Sequence, residues 1–159
     1  MVKGTEIVSA HGVASSTIVD KGGTLRINSG GSATTTVLSG GTETVSSGGK
    51  IVGAVTYKGT AGTLSVGGTT KIAFSVSGFA KTDTIDLANF ASKGAKLSFV
   101  ENKAKTSGLL TITDGALKAT VTLFGQYVAT GFKLTAAGAG TAITYTSATA
   151  HAALAGSHT

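Results

Sequence analysis

Thr36-Val37-Leu38-Ser39-Gly40-Gly41-Thr42-Glu43-Thr44-Val45-Ser46-Ser47-Gly48-Gly49 decides the fold of this chain. Two Gly-Gly pairs bracket a segment too short for a helix. That segment, Thr42-Glu43-Thr44-Val45-Ser46, alternates in polarity and is rich in β-formers. Thr24-Leu25-Arg26-Ile27-Asn28 upstream has the same character. Gly-Gly supplies the positive φ that a sharp corner requires.

Working outward, the pairs start at Gly22, Gly30, Gly40, Gly48 and Gly67. Gly22 to Gly40 is a step of 18 residues, and so is Gly30 to Gly48. Val19, Val37 and Val55 fall on the same step. Backwards it reaches Gly4 and Gly12; forwards it reaches Gly59 and, after a slip of one, Gly67. Strand, corner, strand, corner on a fixed step describes one coil of a solenoid. A coil cannot bury its apolar side alone, so stacked coils share one core. At ~4.8 Å per coil, residues 1–68 hold about three to four coils. A series of antiparallel hairpins is the rival, but hairpins have no need of the same residue every 18 positions. Ser29, Ser32, Thr34, Thr35, Thr36, Ser39, Thr42, Thr44, Ser46 and Ser47 are expected as outward ladders.

The stretch from Thr36 to Gly49 resembles the AIDA-type repeat of bacterial autotransporter adhesins, in which V-x-S-G-G-T-x-x-V-x-S-G-G recurs. The resemblance covers about residues 12–68. It implies a parallel β-helix passenger, cell-surface display, adhesion and self-aggregation.

Beyond Gly68 the strands continue without the pairs. Phe74/Val76, Ile85/Leu87, Leu97/Phe99, Leu110/Ile112, Val121/Leu123, Phe132/Leu134 and Ile143/Tyr145 mark seven of them, separated by turn residues. The overall fold class is therefore all-β: a parallel β-helix with about 18-residue coils, continuing into larger coils or a β-sandwich cap. Continuation is the preferred reading, since an uncovered solenoid end exposes strand edges. The organisation reads as 1–68 repeats, 69–146 continuation or cap, and 147–159 an Ala/Ser/His tail. Lys81–Leu87, Ser107–Gly115 and Gly140–Thr144 more loosely resemble a segment at the ends of repeat-rich secreted bacterial proteins, which again implies export.

Composition excludes several functions. No Cys is present, so disulfides, thiolate metal sites and Cys nucleophiles are out. His11, His151 and His158 stand in no metal spacing, and no Gly-rich stretch reads as a phosphate loop. The acids Glu6, Asp20, Glu43, Asp83, Asp86, Glu101 and Asp114 are scattered. Asp83 and Asp86, three apart on a strand, face opposite sides, which disfavours a catalytic pair. No catalytic, cofactor-binding or metal residue is assigned, and the chain reads as non-enzymatic. No run approaches a membrane helix, and no signal peptide is legible at Met1–Glu6. Export then calls for a signal outside this stretch, an uncleaved C-terminal signal or a presequence.

The net charge is +6, and twelve of the thirteen cations are Lys, with Arg26 the exception. Nucleic acid is disfavoured, because base readout relies on Arg. One local cluster, Lys93, Lys96, Lys103 and Lys105, flanks the Leu97–Val100 strand and is the candidate contact for a polyanion. The functional expectation is a secreted or surface-displayed structural or adhesive solenoid, associating with itself end to end into fibres or matrix. The rivals are a module binding anionic polysaccharide or a cell-surface glycan, and a secretion module without a ligand site.

Overall fold

The computed structural model describes residues 1–59, 61–68 and 71–146. The Ala/Ser/His tail from 147 lies outside them. The regular structure of the described residues is all strand apart from one 3-10 turn at Ala129–Gly131, with turns and loops between the strands.

Each of the first three coils contributes three strands. The first is β1 (Thr5–Val8), β2 (Val13–Ala14) and β3 (Thr17–Asp20); the second is β4 (Thr24–Ile27), β5 (Ser32–Ala33) and β6 (Thr36–Ser39). The third is β7 (Thr42–Val45), β8 (Lys50–Ile51) and β9 (Ala54–Tyr57). A fourth has two strands, β10 (Thr63–Val66) and the longer β11 (Lys71–Ser77). Like strands pair in parallel from coil to coil, building a triangular solenoid of three sheets.

Thr5, Thr24, Thr42, Thr63 and Thr84 stack in register, so the coil runs 19, 18, 21 and 21 residues. The 18-residue step expected from the glycines is therefore the shortest coil. Val19, Val37 and Val55 do not stack on one another. Val19 pairs with Leu38, Val37 with Ile18, and Val55 with Thr36. A slip of one residue sends a side chain to the opposite face, so Leu38 is interior and Val37 turns outward. Lys21, in the corner after β3, is the additional residue between the first and second coils, and the corner at Val52–Gly53 takes up another before β9. Thr36, expected on an outer ladder, is 1% exposed and sits in an inward column with Thr17, Val55 and Val76.

The core is a set of such columns. Val8, Ile27, Val45, Val66 and Leu87 form one; Val19, Leu38 and Tyr57 form another. All are buried.

The third sheet stops at β8. From there the two seven-stranded sheets face each other alone. All seven strands expected beyond Gly68 are present: β11, β12 (Thr84–Leu87), β13 (Lys96–Glu101), β14 (Ser107–Asp114), β15 (Leu117–Phe124), β16 (Phe132–Ala137) and β17 (Gly140–Tyr145). Solenoid pairing continues through β12, past Gly68. After it the sheets are extended differently. β15 lies parallel to β11, but β14 and β13 follow antiparallel, and on the other sheet β17 and β16 do the same. The preferred expectation, continued coils, thus holds to Leu87 and gives way to a two-layer antiparallel cap. Phe99, Tyr127, Phe132 and Tyr145 pack between its layers, with ring centroids 4.7 to 6.4 Å apart. The Tyr127 hydroxyl donates to the Phe79 carbonyl at 3.1 Å, so that ring is also hydrogen-bonded into the loop after β11.

The two glycines of a pair do different work. Gly22 has φ +83° and open space around the missing side chain, so it turns the corner. Gly23 has no positive φ; a Cβ there would collide with the Val2 carbonyl of the coil below. Gly22→Ala should cost about 1–2 kcal/mol through backbone strain. Gly23→Ala should reach or exceed the top of the ~1–3 kcal/mol overpacking range, because its obstacle is backbone. Paired urea unfolding of the two variants measures the difference, and equal losses would contradict this division of labour.

Candidate functional site

Lys93, Lys96, Lys103 and Lys105 are all exposed, but they do not converge. Lys96 opens β13, and Lys93 lies in the loop before it. Lys103 and Lys105 sit in the turn after β13, at the far end of a six-residue strand spanning about 20 Å. Asn102 shapes that turn: its side-chain oxygen accepts from the Thr106 amide at 3.0 Å, and its carbonyl from the Lys105 amide at 3.0 Å.

The register brings other lysines to Lys96. Lys96 pairs with Thr113, Thr113 with Lys118, and Lys118 with Lys71. Paired residues share a face, and here it is the outer one, since Leu97, Ala119 and Ile72 beside this row pack against the core. Three exposed lysines thus lie across four strands with no carboxylate in the row. Asp114, next to Thr113, points the other way and accepts from the Ala91 amide at 2.7 Å. The row alongside is Ser98, Thr111, Thr120 and Ala73. Lys71, Lys118 and Thr120 border a shallow hollow of about 260 Å³. Lys50 and Lys71 line a further hollow of about 460 Å³ beside the free edge of β8. Lys71 and Lys118 were not singled out from the sequence. Each opens the outward phase of its strand, but only the pairing of β11 with β15 makes them neighbours.

The interior holds an acid of its own. Glu43 occupies the column between Leu25 and Leu64 and is fully buried. Among the described residues neither carboxyl oxygen has a hydrogen-bond partner, nor does the buried Thr36 hydroxyl. Burial pushes the Glu43 carboxyl up from the ordinary 4.5 to about 7; Thr36 opposes the shift without closing a bond of ordinary geometry. Burial also holds the Tyr57 phenol well above its usual value, with the Asp83 and Glu43 carboxylates adding to it. Asp83 is buried yet fully used, accepting from the Gly62 amide at 3.0 Å and the Ala80 amide at 2.9 Å. Asp86 faces outward and accepts from the Ser65 hydroxyl at 3.0 Å. Asp83 and Asp86 are therefore separated by the sheet. Among the described residues no group of three or more His, Asp or Glu could hold a metal.

A family model described as "Adhesin of bacterial autotransporter system, probable stalk" matches residues 7–62. These bounds run from β1 to just before β10, which is the three complete three-sheet coils. The match is consistent with an AIDA-type repeat region over that stretch. No curated protein and no solved structure matches the chain.

The Glu43 carboxyl sets a pH dependence of stability. Its folded pKa lies above its unfolded one, so its penalty is absent below about 4.5, grows towards 7 and is constant above. The shift corresponds to about 3 kcal/mol lost on the alkaline side. Glu43→Leu should recover most of that above pH 7 and continue the Leu25–Leu64 column. Urea midpoints across this window check it; a variant with the wild-type pH profile would show that Glu43 is not the titrating group.

Proposed function

We propose that this chain is a rigid, surface-displayed spacer of a bacterial adhesin, acting by shape and not by catalysis. The observation that carries it is the continuous parallel stacking of three sheets over residues matched by the adhesin stalk family. Such stacking makes a stiff rod whose length grows with coil number. The acids are scattered, with Asp83, Asp86 and Asp114 used in turn or sheet contacts and Glu43 buried singly, which supports a structural role over hydrolysis. The family supports a place outside the cell or on its surface. No helix among the described residues is long and apolar enough to cross a membrane.

Self-association belongs to the same proposal, in a restricted form. An open filament needs complementary surfaces at both ends. Free parallel edges were expected at each end of the solenoid, but past β12 both long sheets are covered by β17 and β15, so among the described residues free parallel edges remain on the first coil and on the short β8. Along β1 the Gly4 and Val8 carbonyls accept from the Thr24 and Asn28 amides of the second coil, leaving the outward-facing backbone of Thr5 and Ile7 without a partner among the described residues. Ile7 and Val13, each 59% exposed, add apolar surface beside this edge. Two copies meeting here form a closed pair. Light scattering at rising concentration should show dimers and nothing larger, and Ile7→Lys should return the protein to monomer. A wild-type monomer at every concentration would remove the association, and unlimited growth would restore the filament.

A further inference from the structure

We propose that the outward row Lys71, Lys118 and Lys96, with the hydroxyl row of Thr120, Thr111 and Ser98 beside it, binds a linear polysaccharide bearing repeated carboxylates. This goes beyond the spacer reading, which stands or falls independently. The lysines come from three strands that are distant in sequence and are aligned by pairing alone. Lys71 and Lys118 are direct neighbours across parallel strands, an arrangement that destabilises a sheet unless an anion offsets it. No carboxylate among the described residues does so: the row contains Thr113 as its only other member, and Asp114 is committed to Ala91 on the opposite face. The row spans three strand spacings, about 14 Å, which suits an extended polymer lying across the strands better than a single small anion. Lys50, across the hollow that it shares with Lys71, prolongs the positive strip.

The chemistry favours sugar over nucleic acid. Lysine is a point charge without the bidentate fork of Arg, and Arg26 projects from the other long sheet. Neither row contains an aromatic side chain on which a base could stack. The neighbouring hydroxyls offer both donors and acceptors to sugar hydroxyls.

Polygalacturonate, with its fully methyl-esterified form as the neutral control, is the probe, measured by calorimetry on the full chain at several salt concentrations. Binding to the acid form alone is expected, with log affinity falling against log salt at a slope of about −2 to −3. The triple variant K71Q/K96Q/K118Q should lose roughly tenfold or more in affinity. The variant K103Q/K105Q/K133Q removes the same charge elsewhere and should bind as wild type. Thermal melting of both variants confirms that the exposed substitutions leave the fold intact. Absence of binding by the wild type, equal losses in the two variants, or equal binding to duplex DNA would each overturn the proposal.

Discussion

Backbone must pass backbone at the ~4.8 Å strand spacing in every coil, and each corner must turn without leaving that plane. The rest of the structure follows from this constraint. A side chain at Gly23, Gly31 or Gly41 would strike the preceding coil's backbone, at Val2, Val8 and Val19–Asp20 respectively. These second glycines of each pair therefore set the contact distance, while the first ones set the turn. With corners fixed, inward columns align and bury aliphatic side chains coil over coil. Outward positions receive Thr and Ser, as in the ladder of Thr5, Thr24, Thr42, Thr63 and Thr84.

The constraint also explains how the solenoid ends. Past Gly68 the paired glycines are gone and the third sheet loses its next strand, so the chain can no longer close a triangle. β11 lengthens instead and accepts β15, and the two remaining sheets meet face to face. Larger side chains are needed to fill a two-layer interior that no third wall closes. The aromatic group of Phe99, Tyr127, Phe132 and Tyr145 supplies them. Antiparallel strands then finish both sheets, and hairpins need only short turns where parallel strands need long crossovers.

Much of this was legible in the residues. Corner glycines, alternation and the seven later strands were each readable locally, because turn chemistry and polarity alternation are local signals. What was not readable depended on register. The additional Lys21 in the corner after β3 puts Leu38, not Val37, over Val19, and the one at Val52–Gly53 puts Val55 over Thr36; no count of glycines reveals either. Glu43 stands two residues before the buried Val45, so alternation alone places it on the inward side; reading an acid as solvent-facing is what hides it. Of the four lysines read as a cluster by proximity in sequence, only Lys96 lies in the aligned row. Its true neighbours, Lys71 and Lys118, are reached through β14 and β15. Sequence distance along one strand separates charges that strand pairing would have to unite.

Stability in a stacked repeat is close to a sum of coil and neighbour terms, which decides how far the buried acid matters. Glu43 lies in the third coil, and so does β8, the unpaired end of the third sheet. The same coil therefore combines an interior without a partner for its carboxyl and a wall with one free edge. Its neighbours compensate on two sides: β4 and β10 hold β7 along its whole length, and β6 and β11 flank β9. The third coil can carry these costs because it is clamped between the repeats on one side and the cap on the other. The cap thus does more than cover an end. By extending both long sheets beyond the third, it braces the coil at which the triangular solenoid becomes two layers.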